Sequence, residues 1–219
     1  MKEQYYTSTS IAKQAQFFLE KIKPFRDKHH YRLDPKVAAL LIIDCQKFFF
    51  DKSSHAFVPS ATAILPNILK LQNYCLQNSI TAVKTQHINT IENASMMRTW
   101  WGDHLPYVGD SMVEIIPEIS ALGKPPITKS QYDAFYDSVL DLVLEAHGIR
   151  QIIITGVMAH LCCETTARVA FTRGYEVFFA VDATATYNQE FHLGTLINLA
   201  HGFAVPMLSE EIIDQLQGK

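Results

Sequence analysis

The chain carries no block of like charge. Nineteen Lys and Arg stand against 22 Asp and Glu, a net charge of −3, with the two signs interspersed. It therefore shows neither the basic footprint of a nucleic-acid binder nor the one-sided charge of a membrane-surface helix. Long apolar runs are missing as well. The longest clean one, Val37 to Ile43, is far too short to span a bilayer. The opening residues Met1-Lys2-Glu3-Gln4-Tyr5-Tyr6 contain no apolar stretch of a secretory signal. Cysteine is scarce, and the four residues at 45, 75, 162 and 163 lack the spacing of a disulfide framework or a zinc ribbon. Internal repeats and low-complexity linkers are absent. The expectation is a reduced, cytoplasmic protein whose partner is a small molecule, not a nucleic acid or a membrane.

What is present is enough apolar residue for a sizeable core: 48% of 219 residues, the size of one large α/β domain. Residues 1–36 read as an N-terminal helical arm. Ser10 can cap a helix with Ile11, Ala15, Phe18, Ile22 and Phe25 at helical spacing. Such a helix packs either on its own domain or on a partner subunit. From residue 37 onward, strands alternate with helices six times. The predicted strands are Val37–Ile43, Ile80–Thr85, Pro125–Thr128, Gln151–Ile154, Tyr175–Val181 and Phe203–Pro206. That alternation predicts a parallel sheet covered on both faces, a three-layer α/β/α domain over residues 37–219. One stretch, from Ile88 to Ala121, is irregular and holds both tryptophans, Trp100 and Trp101, which suggests a lid or pocket wall.

Right-handed crossovers bring all strand C-termini to one edge, where open α/β sheets bind ligands. Asp44, Lys129, Cys162 and Asp182 fall just past predicted strand ends. The densest of these junctions is Ile153-Ile154-Thr155-Gly156-Val157-Met158-Ala159-His160-Leu161-Cys162-Cys163, a buried strand turning through glycine into a helix. A helix N-terminus offers unpaired N–H groups and a positive dipole end, both of which favour a thiolate. Cys162 can then be a nucleophile, Asp44 its base, and Lys129 the cation that holds the thiolate, with backbone N–H groups from 156 to 162 as oxyanion donors. The plainer alternatives are small buried cysteines, Asp44 capping a turn and a solvated Lys129. For Asp182 a structural role, fixing a loop, is the better reading.

These residues resemble the isochorismatase-like cysteine hydrolases, a family that includes isochorismatases, nicotinamidases, N-carbamoylsarcosine amidohydrolases and ureidoacrylate hydrolases. The resemblance rests on Leu41-Ile42-Ile43-Asp44-Cys45-Gln46, Thr128-Lys129-Ser130-Gln131-Tyr132-Asp133-Ala134-Phe135, the Gly156 to Cys163 junction and Val181-Asp182-Ala183, and covers residues 37–213. It implies a Rossmann-like six-stranded sheet in the order 3-2-1-4-5-6 and an Asp44–Lys129–Cys162 triad. It also implies a cis peptide between Val157 and Met158, with an oxyanion hole at the N–H groups of Met158 and Cys162. Nicotinamidases add a metal on Asp-x-His-x-His-like spacing. Here Asp51-Lys52-Ser53-Ser54-His55 has no second nearby histidine, so neither metal nor cofactor is expected, and His55 and His87 read as polar surface or pocket residues.

Within the family the signals divide. The Gly156 to His160 stretch, the Met97 to Gly102 region and Leu208-Ser209-Glu210-Glu211 look most like isochorismatases, which hydrolyse a vinyl ether and typically carry glycine in place of Cys162. Cys162 itself looks like the amidases, which pass through a thioester. The resemblance implies Gln86 as a substrate contact and Arg98 as a substitute for the carboxylate-binding arginine. Trp101, Tyr132, Phe135 and His160 complete the expected substrate contacts, although aromatic residues in such places are as often core. The expected activity is hydrolysis of a C–N bond in a small amide or ureido compound, by a homo-oligomer (dimer or tetramer). The alternatives are a vinyl ether hydrolase using Asp44 as general acid, and a catalytically silent binding subunit.

Overall fold

The computed structural model describes every residue except His30 and Leu122. The chain order begins with α1 (Ile11–Arg26), β1 (Ala38–Ile43), α2 (Lys47–Phe50), α3 (Ala61–Gln77) and β2 (Thr81–His87). It continues with α4 (Ser95–Trp101), α5 (Pro117–Ser120), β3 (Ile127–Lys129), α6 (Leu140–Ala146) and β4 (Gln151–Val157). The last elements are α7 (Glu164–Thr172), β5 (Glu176–Ala185), α8 (Gln189–Gly202), β6 (Val205–Met207) and α9 (Ser209–Leu216). The six strands form one sheet in the order β3-β2-β1-β4-β5-β6. Every pairing is parallel. The predicted fold and strand order are those observed. No helix among the described residues is long and apolar enough to cross a membrane.

The two central strands, β1 and β4, are buried along their whole length, which is why β1 and the Ile152–Ile154 part of β4 read as apolar runs with no polar face. Gly156 lets them close up at the functional edge. Its φ is +104°, and a Cβ there would lie 2.0 Å from the Ile43 carbonyl oxygen. The peptide that follows, between Val157 and Met158, is cis.

α1 and the residues that precede it pack on their own domain. Tyr6, Phe18 and Ile22 lie in the same core cluster as the sheet. Ser60 Oγ accepts hydrogen bonds from the N–H groups of Tyr5 and Tyr6, and the Tyr6 hydroxyl donates to the Val181 carbonyl at 3.0 Å. The expected cap at Ser10 differs from the prediction: Ser10 Oγ bonds back to Thr7. The Ser209 hydroxyl donates to Asp182 Oδ1 at 2.6 Å. Asp182 is not past a strand end. β5 runs on to Ala185, and the Asp182 carboxylate holds the start of α9, the structural role its type suggested. The irregular stretch from 88 to 121 is not featureless: it contains α4 and α5.

Candidate active site

Asp44 follows β1 directly, at a positive φ of 49° that aspartate tolerates better than most residues. Thr85, on the neighbouring β2, holds it from both ends. The Asp44 N–H donates to Thr85 Oγ1 at 3.2 Å, and that hydroxyl donates back to Oδ1 at 2.7 Å. Lys129 closes the group as the last residue of β3. Its Nζ lies 2.8 Å from Asp44 Oδ2, a fully buried ion pair. It donates to the Gln131 carbonyl at 2.7 Å and to Cys162 Sγ at 3.4 Å. Thr85 thus takes Oδ1, and Oδ2 is left to the Lys129 ammonium.

Cys162 departs from expectation in two respects. It is not in the first turn of an α-helix: Ala159–Cys163 forms a π turn, and α7 begins only at Glu164. Such insertions recur at functional sites because the extra residue re-aims a side chain. Nor is the resting sulfur a thiolate. Burial pushes the thiol up to about 12, the Asp44 carboxylate adds to that, and Lys129 opposes it without prevailing. The dipole expected to stabilise a thiolate is outweighed by desolvation, so the nucleophile has to be made during reaction by proton transfer. Cys163 points elsewhere: its sulfur lies 4.0 Å from the Thr155 carbonyl, and it does not line the cavity.

Lys129 also departs from the picture of a solvated lysine past a strand end. Its side chain is fully buried with that of Asp44. Burial alone would pull its pKa down, but the Asp44 charge beside it raises it above the ordinary lysine value. Removing one member of a buried pair leaves the other uncompensated, at a cost of about 3–5 kcal/mol, whereas replacing both is often close to neutral. Lys129→Ala is therefore expected to be inactive and also markedly destabilised in urea unfolding. The Asp44→Asn/Lys129→Met double variant should recover most of the stability and none of the activity. A Lys129→Ala protein as stable as wild type would show that the pair is not load-sharing.

One ring nitrogen of His87, the Cys162 sulfur and a carboxylate oxygen of Asp44 lie within 4.8 Å of one another. This donor set does not suit a cation, because the Lys129 ammonium already sits against both Asp44 and Cys162. Above the group opens a cavity of about 280 Å³. Phe48, Phe49, Met97, Leu105 and Leu161 give it apolar walls, and His55, His87, His104, Trp101, Tyr132 and Tyr187 add polar tips.

The Isochorismatase domain family model matches residues 38–211, nearly all of the sheet and the whole site. The chain belongs to the isochorismatase family. It is 40% identical to Nicotinamidase 3 of Arabidopsis thaliana over 173 residues, covering 77% of this chain and 83% of that protein. It is 34% identical to Isochorismatase of Bacillus subtilis over 189 residues, 84% of this chain and 59% of that one. A cysteine hydrolase from Pseudomonas syringae superposes with a TM-score of 0.82 at 24% identity, covering 86% of this chain and 96% of the other. This isochorismatase-family chain is a hydrolase.

The six expected substrate contacts of this family member fall in different places. Trp101 and Tyr132 line the cavity, joined at its wall by a hydrogen bond of 2.6 Å from Trp101 Nε1 to the Tyr132 oxygen. Four do not line it. Gln86 donates to the Val113 carbonyl at 2.8 Å. Phe135 is core, with the Arg173 guanidinium 4.9 Å from its ring centre. His160 bonds to Thr186 Oγ1 and stacks on Phe191 at 4.5 Å. Arg98 lines a separate surface depression shared with Glu92 and Asp103. Arg98 lies three residues before Trp101 on α4, yet the two line different depressions. Reading by sequence missed Phe48, Phe49, His104, Leu161 and Tyr187. The Phe48-Phe49-Phe50 run after Asp44 was the one available signal, an apolar block too short to be a strand or a full helix.

Proposed function

We propose that this chain hydrolyses the C–N bond of a small uncharged amide through a thioester on Cys162. The observation that carries this reading is the cysteine sulfur on the cavity wall, 3.4 Å from Lys129 Nζ and next to the Asp44 carboxylate. The Cys162 proton passes to Asp44 Oδ2 as sulfur attacks the carbonyl carbon, and the π pair moves to oxygen. Backbone N–H groups of Met158 and Cys162 are the proposed donors to that oxyanion. The pair returns, the C–N bond breaks, and nitrogen takes the proton from Asp44 as it leaves. Water then gives a proton to Asp44 and attacks the thioester, and the departing sulfur recovers that proton. Lys129 stays charged throughout and keeps the anionic species tolerable in a buried site.

The vinyl ether reading draws on the isochorismatase relative, but isochorismate is a dicarboxylic acid. No Lys or Arg is among the cavity-lining residues, and a buried carboxylate without a partner is costly. A neutral carboxamide of the kind named by the nicotinamidase relative fits that lining better. Trp101 and Tyr132 serve as its aromatic walls. The test is acid quenching during turnover of a primary-amide panel and of isochorismate, followed by peptide mass mapping. An acyl adduct on Cys162 with ammonia release is expected. Pyruvate release from isochorismate with no adduct would replace this reading by the vinyl ether one.

A further inference from the structure

His87 is buried, lines the cavity, and sits beside both the nucleophile and the base, yet the mechanism above gives it no work. Its protonation state follows from its surroundings. Burial and the Lys129 charge lower its pKa to about 3, against the opposing pull of Asp44, so it is an uncharged imidazole at any working pH. Its Nε2 lies 3.2 Å from the Ser130 carbonyl oxygen. A carbonyl can only accept, so the ring proton is on Nε2 and Nδ1 carries a bare lone pair. Among the histidines lining this cavity, His87 is the one placed beside both Asp44 and Cys162. The tyrosine hydroxyls can donate as well as accept, and the oxyanion donors only donate.

We infer that the Nδ1 of His87 accepts a hydrogen bond from the substrate's amide N–H, making the enzyme selective for amides that carry an N–H on the leaving nitrogen. The inference rests on the amidase reading of the same site and specifies its substrate class. The chemistry explains why such an acceptor is useful. In the tetrahedral intermediate the nitrogen lone pair must face the proton held by Asp44 for the C–N bond to break. An N–H anchored on His87 fixes the rotation about C–N that presents that lone pair. An ester has no N–H to offer and gains nothing from His87. Its alkoxy oxygen would face a lone pair instead.

The experiment compares kcat/KM for nicotinamide and for methyl nicotinate in the wild type, His87→Leu and His87→Gln. Ester and amide pass through the same Cys162 thioester and differ only in the leaving group. His87→Leu should lose roughly tenfold or more on the amide relative to the ester. His87→Gln keeps a donor for Ser130 and an acceptor for the substrate, and it should restore much of the ratio. Equal losses on both substrates, with thioester formation intact, would make His87 a structural support of the Lys129–Gln131 segment and overturn the inference while leaving the amidase reading standing. Wild-type protein in which neither these compounds nor any member of the primary-amide panel acylates Cys162 would remove the amidase reading and this inference with it.

Discussion

Cys162→Ala is expected to abolish amide turnover, with a loss on the order of 10⁴ or more in kcat. The sulfur is the cysteine atom set against the cavity and Lys129, and Cys163 lies outside the lining and cannot substitute. Asp44→Asn should be as severe, because the resting thiol is neutral and the Asp44 carboxylate beside it is the proposed base. The pH dependence separates this from a preformed thiolate. With a thiol pushed up to about 12, iodoacetamide alkylation of Cys162 should climb with pH from 7 to 10 with no plateau. A plateau at neutral pH would mean that an ion pair already exists at rest. A Cys162→Gly enzyme fully active on isochorismate would end the amidase reading.

The second large effect is on folding. Gly156→Ala would place a Cβ 2.0 Å from the Ile43 oxygen and 2.7 Å from its nitrogen, both backbone atoms of the central strand. Neither can retreat, since β1 is paired on both sides and buried throughout. The φ of +104° penalises any side chain as well. The expected outcome is no cooperatively folded protein, a destabilisation beyond the 4–5 kcal/mol that marks exceptional single substitutions. Gly174→Ala is the control. It shares a positive φ of 89° but has nothing within 4 Å, so it should cost only about 1–2 kcal/mol in urea unfolding. Similar costs for the two would show that conformation, not the close approach to Ile43, is what Gly156 supplies.

Much of this protein is decided by local pattern. Apolar runs at 38–43 and 152–154 can satisfy themselves only as strands buried on both faces, and parallel strands need helical crossovers between them. Their shared direction then brings Asp44, Lys129 and Cys162 to one edge, so the triad could be named from residue types and order. The resemblance supplied the strand order and the cis peptide, neither of which periodicity encodes. Tertiary structure decided the rest. Whether Cys162 is a thiol or a thiolate depends on how completely packing excludes water, and that dehydration outweighs the Lys129 charge and the turn's dipole. Lys129 became a core residue because β3 delivers it beneath Asp44, a placement set by strand pairing across more than 80 residues of chain. Trp101 lines the cavity and Arg98 does not, although i, i+3 spacing makes them neighbours on α4, so only packing decides which one enters. The N-terminal arm's amphipathic stripe required a partner of some kind. That the partner is its own sheet follows from the Tyr5, Tyr6 and Ser60 contacts, which pattern along the chain does not contain.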